Sequence, residues 1–353
     1  MELIRVMIIA DDAFKSKEIA DILSTDKRIQ VITAVRNMED GINKINKHQP
    51  EVIILNVQSP QTEDITLLEN VMKRHPISVL MLYDEITKAA ISAVQALSNG
   101  AVDLIRRPSE IHASQSIGVE LINKIIAVTQ MKINETMMKN EIVKQARDTP
   151  VSSCQPLDKT VIAIGTSTGG PRALEKVLSQ MPNKLPAPVL IVQHMPAGFT
   201  KSLAERLNRL VDFPVKEAED LEVIERNAAY IAPGDFHMKV KNRNRELVIE
   251  LSKDAPIRGH RPSVDILLHS ISEIYHINKI AIILTGMGRD GAEGIRKLKS
   301  DDPNAIVIAE SEETAVIYGM PRAAVNTNCV DHELPLSQIG KALINIIRKE
   351  GGK

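Results

Sequence analysis

The sequence predicts two α/β domains, because short β-branched runs alternate with segments of helical periodicity in two separate parts of the chain. The chain has 353 residues, and about 150 residues per domain leaves room for two such domains. A charged helical stretch and an extended, proline-containing stretch separate the two parts. We expect one doubly wound domain at residues 1–110, a helical segment and linker at 111–158, and a second doubly wound domain at 159–350.

The N-terminal part is predicted to form a five-stranded parallel sheet with a flavodoxin-like fold. Strands that are separated by helices of about a dozen residues run parallel and carry helices on both faces. The predicted strands are Ile4–Ala10, Ile29–Ala34, Val52–Val57, Val79–Tyr83 and Val102–Ile105, and the predicted helices between them are Asp12–Leu23, Met38–His48, Ile65–Lys73 and Ala89–Asn99. Helical periodicity then runs through Ser116–Ala146, and an extended tether follows at 148–156.

The C-terminal part is predicted to form a mostly parallel sheet with an inserted β-hairpin. The alternation of polar and apolar residues at Asp235–Asp254 indicates the hairpin. The predicted strands are Val161–Gly165, Val189–Gln193, Ala229–Ala232, Leu247–Leu251, Ile280–Thr285 and Ala305–Ala309. The predicted helices are Pro171–Gln180, Thr200–Leu210, Ser263–Ile274, Ala292–Lys299 and Glu313–Tyr318.

The composition argues against several classes of function. Lys and Arg total 44 against 45 Asp and Glu, and the chain has four Tyr, four Phe and no Trp. Such a chain has no basic excess for a phosphate backbone and few rings for stacking bases, so we expect no nucleic-acid binding. The two cysteines, Cys154 and Cys329, show no metal-binding spacing. No apolar run reaches membrane-spanning length, so we expect a cytoplasmic protein without membrane insertion.

Three polar residues stand where predicted strands of the C-terminal domain end. Ser167 lies in the glycine-rich turn Gly165-Thr-Ser-Thr-Gly-Gly170, His194 follows an apolar strand, and Asp290 follows another. Reactive groups of open α/β sheets gather at the carboxyl ends of the strands. A serine needs a base to remove its proton and a third group to orient that base, so these residues suggest a nucleophilic triad. Their chain order differs from that of the familiar serine hydrolases.

The glycine-rich turn by itself allows other interpretations. A glycine loop before a helix could bind a phosphate, or it could be only a tight turn. A protein with such a loop could also be a signalling adaptor without catalytic activity. An intact set of Ser167, His194 and Asp290 favours the enzyme over the adaptor.

Six sequence blocks of the C-terminal part resemble the bacterial chemotaxis protein-glutamate methylesterases, the CheB family. They are 164–171, Gln193-His-Met-Pro-Ala-Gly-Phe-Thr200, Ala232-Pro-Gly-Asp-Phe-His-Met238, His260-Arg-Pro-Ser-Val-Asp265, 284–291 and Gly319-Met-Pro-Arg322. The resemblance implies a cofactor-independent serine hydrolase, with no metal needed for catalysis. Its substrates would be glutamate methyl esters on the cytoplasmic helices of chemoreceptors, and glutamine deamidation would be a second activity. The chemoreceptors and the chemotaxis histidine kinase complex are the implied partners. A closely related alternative is an esterase for another protein carboxyl ester.

The resemblance also implies roles for individual residues. Ser167 would be the nucleophile, His194 the base and then the acid, and Asp290 the group that orients His194. The residues that would form the oxyanion site and its cleft are Thr168, Met287 and Gly288. His237 and His260 are second-tier candidates, for which a structural histidine is the alternative.

The N-terminal part resembles a response-regulator receiver domain whose phosphorylation chemistry has been lost. Asp11 and Asp12 match the acidic pair that binds Mg²⁺ in receivers, which suggests a residual cation site; a charged turn is the alternative. Asn56 stands where receivers have the phosphoacceptor aspartate, and a carboxamide cannot form an acyl phosphate. Tyr83 replaces the usual Ser or Thr, and Arg107 replaces the usual Lys. We therefore expect a pseudo-receiver that serves as a docking or inhibitory lid.

Overall fold

The computed structural model describes residues 3–56, 77–83, 97, 101–106, 114–129 and 160–350. It divides into two compact units, Met1–Asn140 and Glu141–Lys353, which are described separately. The predicted domain boundaries fall in segments outside the described residues and stay predictions. Also outside them lie the predicted helix Ile65–Lys73, all of Ala89–Asn99 except Leu97, the tether, and the part of Ser116–Ala146 beyond Thr129.

The first unit contains the predicted five-stranded parallel sheet. Its strand order is β2-β1-β3-β4-β5, which is the flavodoxin-like order. Strands β3 and β4 are buried along their whole length, as expected for central strands of a parallel sheet that is covered on both faces. The bounds are β1 Ile4–Ala10, β2 Ile29–Val35, β3 Val52–Asn56, β4 Ser78–Tyr83, β5 Ala101–Arg106, α1 Ala13–Leu23, α2 Met38–His48 and α3 Ser114–Thr129.

The second unit is built on a seven-stranded sheet in which every neighbouring pair of strands is parallel. The strand order is β14-β13-β12-β6-β7-β9-β8. The strands of this sheet are β6 Thr160–Thr166, β7 Val189–Gln193, β8 Val215–Glu217, β9 Ala229–Ile231, β12 Asn278–Ile283, β13 Ile306–Glu310 and β14 His332–Leu334. The helices are α4 Gly170–Leu178, α5 Phe199–Leu210, α6 Val264–Ser272, α7 Ala292–Asp301, α8 Met320–Val325 and α9 Leu336–Glu350.

The predicted hairpin forms a small sheet of its own. Strands β10 (His237–Arg243) and β11 (Glu246–Ser252) pair antiparallel. Asn244 and Arg245 connect them with φ of 53° and 70°, the conformation of a tight hairpin turn. Apolar side chains of one hairpin face, together with α6, belong to the same buried cluster, which explains the alternating pattern in the sequence. The predicted fold class is confirmed in both units.

The predicted helix Glu313–Tyr318 is wrong. This segment is irregular, and the helix α8 begins only at Met320. The backbone N–H of Ile317 donates to Thr285 Oγ1 at 2.8 Å, and the Ile317 carbonyl accepts from the Gly286 N–H at 3.0 Å. Because both backbone groups of Ile317 bond to the loop after β12, they are not available for helical hydrogen bonds. The short strands β8 and β14 and the helix α9 were not predicted from the sequence.

Membrane insertion finds no support in the described part of the chain. None of its helices combines the length and the apolar character that crossing a bilayer requires.

Candidate active site

Three adjacent strands bring the predicted residues to one edge of the second sheet. Ser167 directly follows β6, His194 directly follows β7, and Asp290 lies in the connection between β12 and α7. Strands β12, β6 and β7 are neighbours in the sheet, and parallel strands present their carboxyl ends at the same edge. The three residues therefore share one edge of the sheet, as their positions after predicted strands indicated.

The turn that carries Ser167 is held by backbone hydrogen bonds. The Ser167 N–H donates to the Thr285 carbonyl at 3.0 Å, and the Ser167 carbonyl accepts from the Gly170 N–H at 2.8 Å and from Gln193 Nε2 at 2.9 Å. Gly169 has φ of 80°, which favours glycine. A Cβ on Gly170 would lie 1.9 Å from Gln193 Oε1. Glycine at these two positions therefore permits the tight turn. Ser167, within that turn, is 9% exposed.

His194 and Asp290 form a buried pair. His194 Nε2 lies 2.8 Å from Asp290 Oδ2, and the two side chains are 6% and 2% exposed. The other ring nitrogen, His194 Nδ1, is buried and has no hydrogen-bond partner among the described residues. With Nε2 engaged by Asp290, Nδ1 is the nitrogen that remains for a further proton.

The N-terminal end of α6 holds the Asp290 carboxylate. The oxygens of the Asp290 carboxylate accept hydrogen bonds from Ser263 Oγ at 2.8 Å, from the Val264 N–H at 2.7 Å and from the Asp265 N–H at 3.1 Å. Burial by itself would raise the pKa of Asp290, but the hydrogen bond and charge of His194 and the two backbone N–H groups outweigh it. They hold the pKa well below its usual range, so Asp290 is an ionised group beside the imidazole.

A second buried carboxylate, Asp265, links the same two segments, because it lies in α6 and binds the start of α7. Asp265 lies in α6 and accepts hydrogen bonds from the Gly291 N–H at 2.9 Å and the Gly294 N–H at 2.8 Å, at the start of α7. Arg258 Nη1 approaches Asp265 Oδ2 at 2.6 Å. Burial, together with the charge of Asp290, raises the pKa of Asp265. Asp290 therefore caps α6, to which Asp265 belongs. In return, Asp265 caps α7, the helix that Asp290 precedes.

The two second-tier histidines have different surroundings. The His260 ring stacks on the His194 ring with centroids 4.0 Å apart and planes inclined by 5°, so His260 contacts the site directly. His237 is fully buried, and its Nε2 lies 3.2 Å from the Ala255 carbonyl. Burial lowers the pKa of His237. This environment is typical of a structural histidine that anchors a loop.

One of the predicted oxyanion residues, Thr168, belongs to the nucleophile turn, and the loop that carries the other two approaches that turn. Thr168 is buried, and its carbonyl accepts a hydrogen bond from Thr285 Oγ1 at 2.9 Å. A Cβ on Gly286 would lie only 2.9 Å from Ser167 Cβ, so the loop that contains Met287 and Gly288 runs close to Ser167. Met287 is half-buried and Gly288 is exposed.

The receiver-like unit places its altered residues at the predicted sheet edge. Asn56 ends β3 and is 2% exposed, and Tyr83 ends β4 and is 3% exposed. Asp12 caps α1, with Oδ1 accepting from the Phe14 N–H at 2.8 Å, while Asp11 is exposed. The cap gives Asp12 a structural role that the sequence analysis did not include. Arg107 lies outside the described residues.

Comparison with known proteins decides the family. The model of the family described as CheB methylesterase matches residues 162–343. The chain belongs to the CheB methylesterase family. A protein-glutamate methylesterase/protein-glutamine glutaminase of Oceanobacillus iheyensis is 43% identical over 352 residues, covering 98% of this chain and 99% of the relative. The protein of that name in Bacillus subtilis is 36% identical over 357 residues, covering 99% of each chain.

A solved structure from the same family matches the second unit. The catalytic domain of the Thermotoga maritima CheB methylesterase shares 45% sequence identity, with a TM-score of 0.52, and the match covers 53% of this chain and 98% of that chain. The family predicted from the six sequence blocks is therefore confirmed.

Proposed function

We propose that this CheB family member is a serine esterase that demethylates glutamate γ-methyl esters on the cytoplasmic helices of chemoreceptors. The observation that carries the proposal is the buried His194–Asp290 pair, with Nε2 and Oδ2 2.8 Å apart, at the sheet edge where Ser167 follows the neighbouring strand β6. The relatives that match over nearly the full chain are named for this activity.

The geometry supports a two-step acyl transfer. Ser167 Oγ attacks the ester carbonyl while His194 Nδ1 takes its proton, and the ionised Asp290 stabilises the resulting imidazolium. The imidazolium then protonates the departing methoxide, so methanol leaves and a glutamyl ester of Ser167 remains. Water, deprotonated by His194, hydrolyses that ester to glutamate and restores the serine. The backbone around Thr168, Met287 and Gly288 would stabilise the oxyanion.

The same machinery fits a second reaction on glutamine. Attack on a side-chain carboxamide would release ammonia in place of methanol and would leave the same acyl-enzyme. The printed names of the relatives include a protein-glutamine glutaminase, so we include deamidation in the proposal. Neither reaction as written uses a metal ion or a cofactor.

The proposed partners follow from the substrate. Methylated chemoreceptor helices lie in the cytoplasm, which is where we place the protein, and the chemotaxis histidine kinase complex is the proposed signalling partner. In the receiver-like unit, we propose that Asn56 prevents phosphorylation, and that the unit acts as a docking or inhibitory lid without a phosphate switch.

Methanol release from a methylated chemoreceptor fragment tests the proposal. The full chain is expected to release methanol from the methylated fragment and none from the same fragment with free glutamates. Ammonia release from a fragment with glutamine at the same positions tests the deamidase. Hydrolysis of simple esters without any action on the receptor fragment would favour another protein carboxyl ester as substrate. Absence of every hydrolytic activity, both in the full chain and in residues 150–353 without the proposed lid, would favour the adaptor.

A further inference from the structure

A buried carboxyl group, Glu310, lies behind the candidate site and takes no part in the mechanism above. Glu310 is the last residue of β13 and is fully buried. Its Oε2 accepts a hydrogen bond from the Thr285 N–H at 2.7 Å, and its Oε1 accepts one from Thr314 Oγ1 at 3.0 Å. The main-chain pairing of β12 with β13 ends at Ile283 and Ala309. Beyond that point, the Glu310 side chain supplies the acceptor for the β12 side.

The residue that Glu310 holds, Thr285, contacts the nucleophile turn at three places. The Thr285 carbonyl accepts from the Ser167 N–H at 3.0 Å and from Thr166 Oγ1 at 2.8 Å. The Thr285 hydroxyl donates to the Thr168 carbonyl at 2.9 Å. Thr285 therefore touches the residues before, at and after the nucleophile position. Glu310 binds Thr285 from the other side, by accepting the hydrogen bond of the Thr285 N–H.

The free-energy cost of burying a carboxyl group indicates that Glu310 has a role in addition to packing. Burying a carboxyl group costs free energy, whereas an apolar side chain of the same volume would pack there without that cost. Burial raises the pKa of Glu310 to about 7, and its hydrogen bonds to Thr285 and Thr314 oppose the rise. What the carboxyl group provides in return is an acceptor for a backbone N–H at a place where the strand pairing has ended.

We propose that Glu310 is a positioning residue of the esterase site, which fixes Thr285 and through it the Ser167 turn and the Gly286–Gly288 loop. The inference rests on the proposed esterase function. It assigns to Glu310 an effect on the rate of the chemical step, because the geometry of the nucleophile turn depends on Thr285. Substrate affinity should change little, since Glu310 is buried and cannot touch the receptor.

A pair of side chains of similar size separates hydrogen bonding from packing. In Glu310→Gln, the amide oxygen can still accept from the Thr285 N–H, and the amide nitrogen can donate to Thr314 Oγ1. In Glu310→Met, the volume is kept but the acceptor is lost, so the Thr285 N–H is left buried and unpaired. A buried donor without a partner is expected to lower kcat about tenfold or more in the methionine variant.

The experiment measures kcat and KM for methanol release and the rate of fluorophosphonate labelling, on the full chain. We expect Glu310→Met to lose kcat and labelling rate with KM nearly unchanged, and Glu310→Gln to stay close to the wild type. Val307→Ala is the matched control, because Val307 is fully buried in the same strand but pairs with Ala281, four residues before Thr285. It should lose stability and keep kcat. If the methionine variant does not fold, Glu310→Leu, whose side chain is of similar size and also lacks an acceptor, replaces it.

Several results would overturn the inference. Folded Glu310→Met with a kcat equal to that of the wild type would do so, as would a glutamine variant as slow as the methionine variant. An equal loss of kcat in Val307→Ala would show that the loss in the methionine variant comes from general destabilisation. Failure of the proposed function is distinguishable from these results, because the wild type itself would then release no methanol.

Discussion

At the scale of single residues, the proposed mechanism depends on a charged Asp290. The carboxylate accepts from Ser263, from two backbone N–H groups and from His194. In Asp290→Asn, the amide can no longer stabilise the imidazolium, and an N–H group is forced against one of these donors. By analogy with the same change in another serine hydrolase triad, kcat should fall by about 10⁴-fold. Methanol-release kinetics check this, and near-normal turnover would remove Asp290 from the triad.

Glu310 gives a second residue-scale prediction, which concerns stability against pH. Its pKa rises from the usual 4.5 to about 7 in the folded protein, so the folded state binds more protons than the unfolded state between those values. The stability that Glu310 contributes must then fall as the pH rises from about 4.5 to about 7, by on the order of 3 kcal/mol. Glu310→Gln cannot titrate and should lack this fall.

Denaturant unfolding of the wild type and Glu310→Gln at a series of pH values measures the effect. The difference between their free energies of unfolding isolates Glu310 from the other titrating groups. A difference that stays constant from pH 5 to pH 8, or one that changes in the opposite direction, would contradict the prediction.

At the scale of helices and strands, α6 and α7 depend on the two carboxylates that cap them. Asp265 accepts from the N–H of Gly291, which precedes α7, and from the N–H of Gly294 in its first turn, and removing such a cap typically costs about 0.5–2 kcal/mol. Asp265→Ala also leaves Arg258 without its partner and loosens the segment that carries Asp290. We expect it to lower both the free energy of unfolding and kcat.

A carboxylate at the start of the same helix provides the control. Glu293 pairs with Arg296 on the surface, where both side chains are about half exposed, and exposed pairs of this kind contribute little. Glu293→Ala should leave kcat unchanged and stability nearly so. Equal effects of the two alanine variants in unfolding and kinetic assays would show that the capping by Asp265 has no special role.

The elements also show why sequence alone predicted part of the site and missed the rest. The strand ends before Ser167 and His194 carry strong local signals: apolar runs that stop at glycine or at a polar residue. The helix predicted at Glu313–Tyr318 failed because its backbone groups bond to a loop about 30 residues away. The roles of Thr285 and Glu310 likewise depend on which strands are neighbours, which no local pattern reveals. One feature of the sequence could have pointed to Asp265, which lies two residues after the predicted helix start at Ser263.

At the scale of the whole molecule, the receiver-like unit is expected not to respond to phosphodonors. By the resemblance to receivers, Asn56 stands at the position of the acceptor carboxylate, and Tyr83 and Arg107 stand at the positions of the groups that usually respond to phosphorylation. Incubating the full chain with acetyl phosphate and Mg²⁺ should change neither its phosphate content nor its esterase rate. Asn56→Asp should restore labelling without activation, because a modification shifts an equilibrium only through contacts that differ between the two states. Phosphorylation of the unaltered chain with a rise in rate would refute the pseudo-receiver.

The most direct test of the whole account compares the full chain with its Ser167→Ala variant in two assays. One is methanol release from a methylated chemoreceptor fragment, and the other is fluorophosphonate labelling with the modified residue located by mass spectrometry. We expect methanol and a label on Ser167 from the wild type. From the variant, we expect an unchanged fold, no label, and a rate lower by about 10⁴- to 10⁶-fold. Methanol release by Ser167→Ala at a rate near that of the wild type would contradict the account.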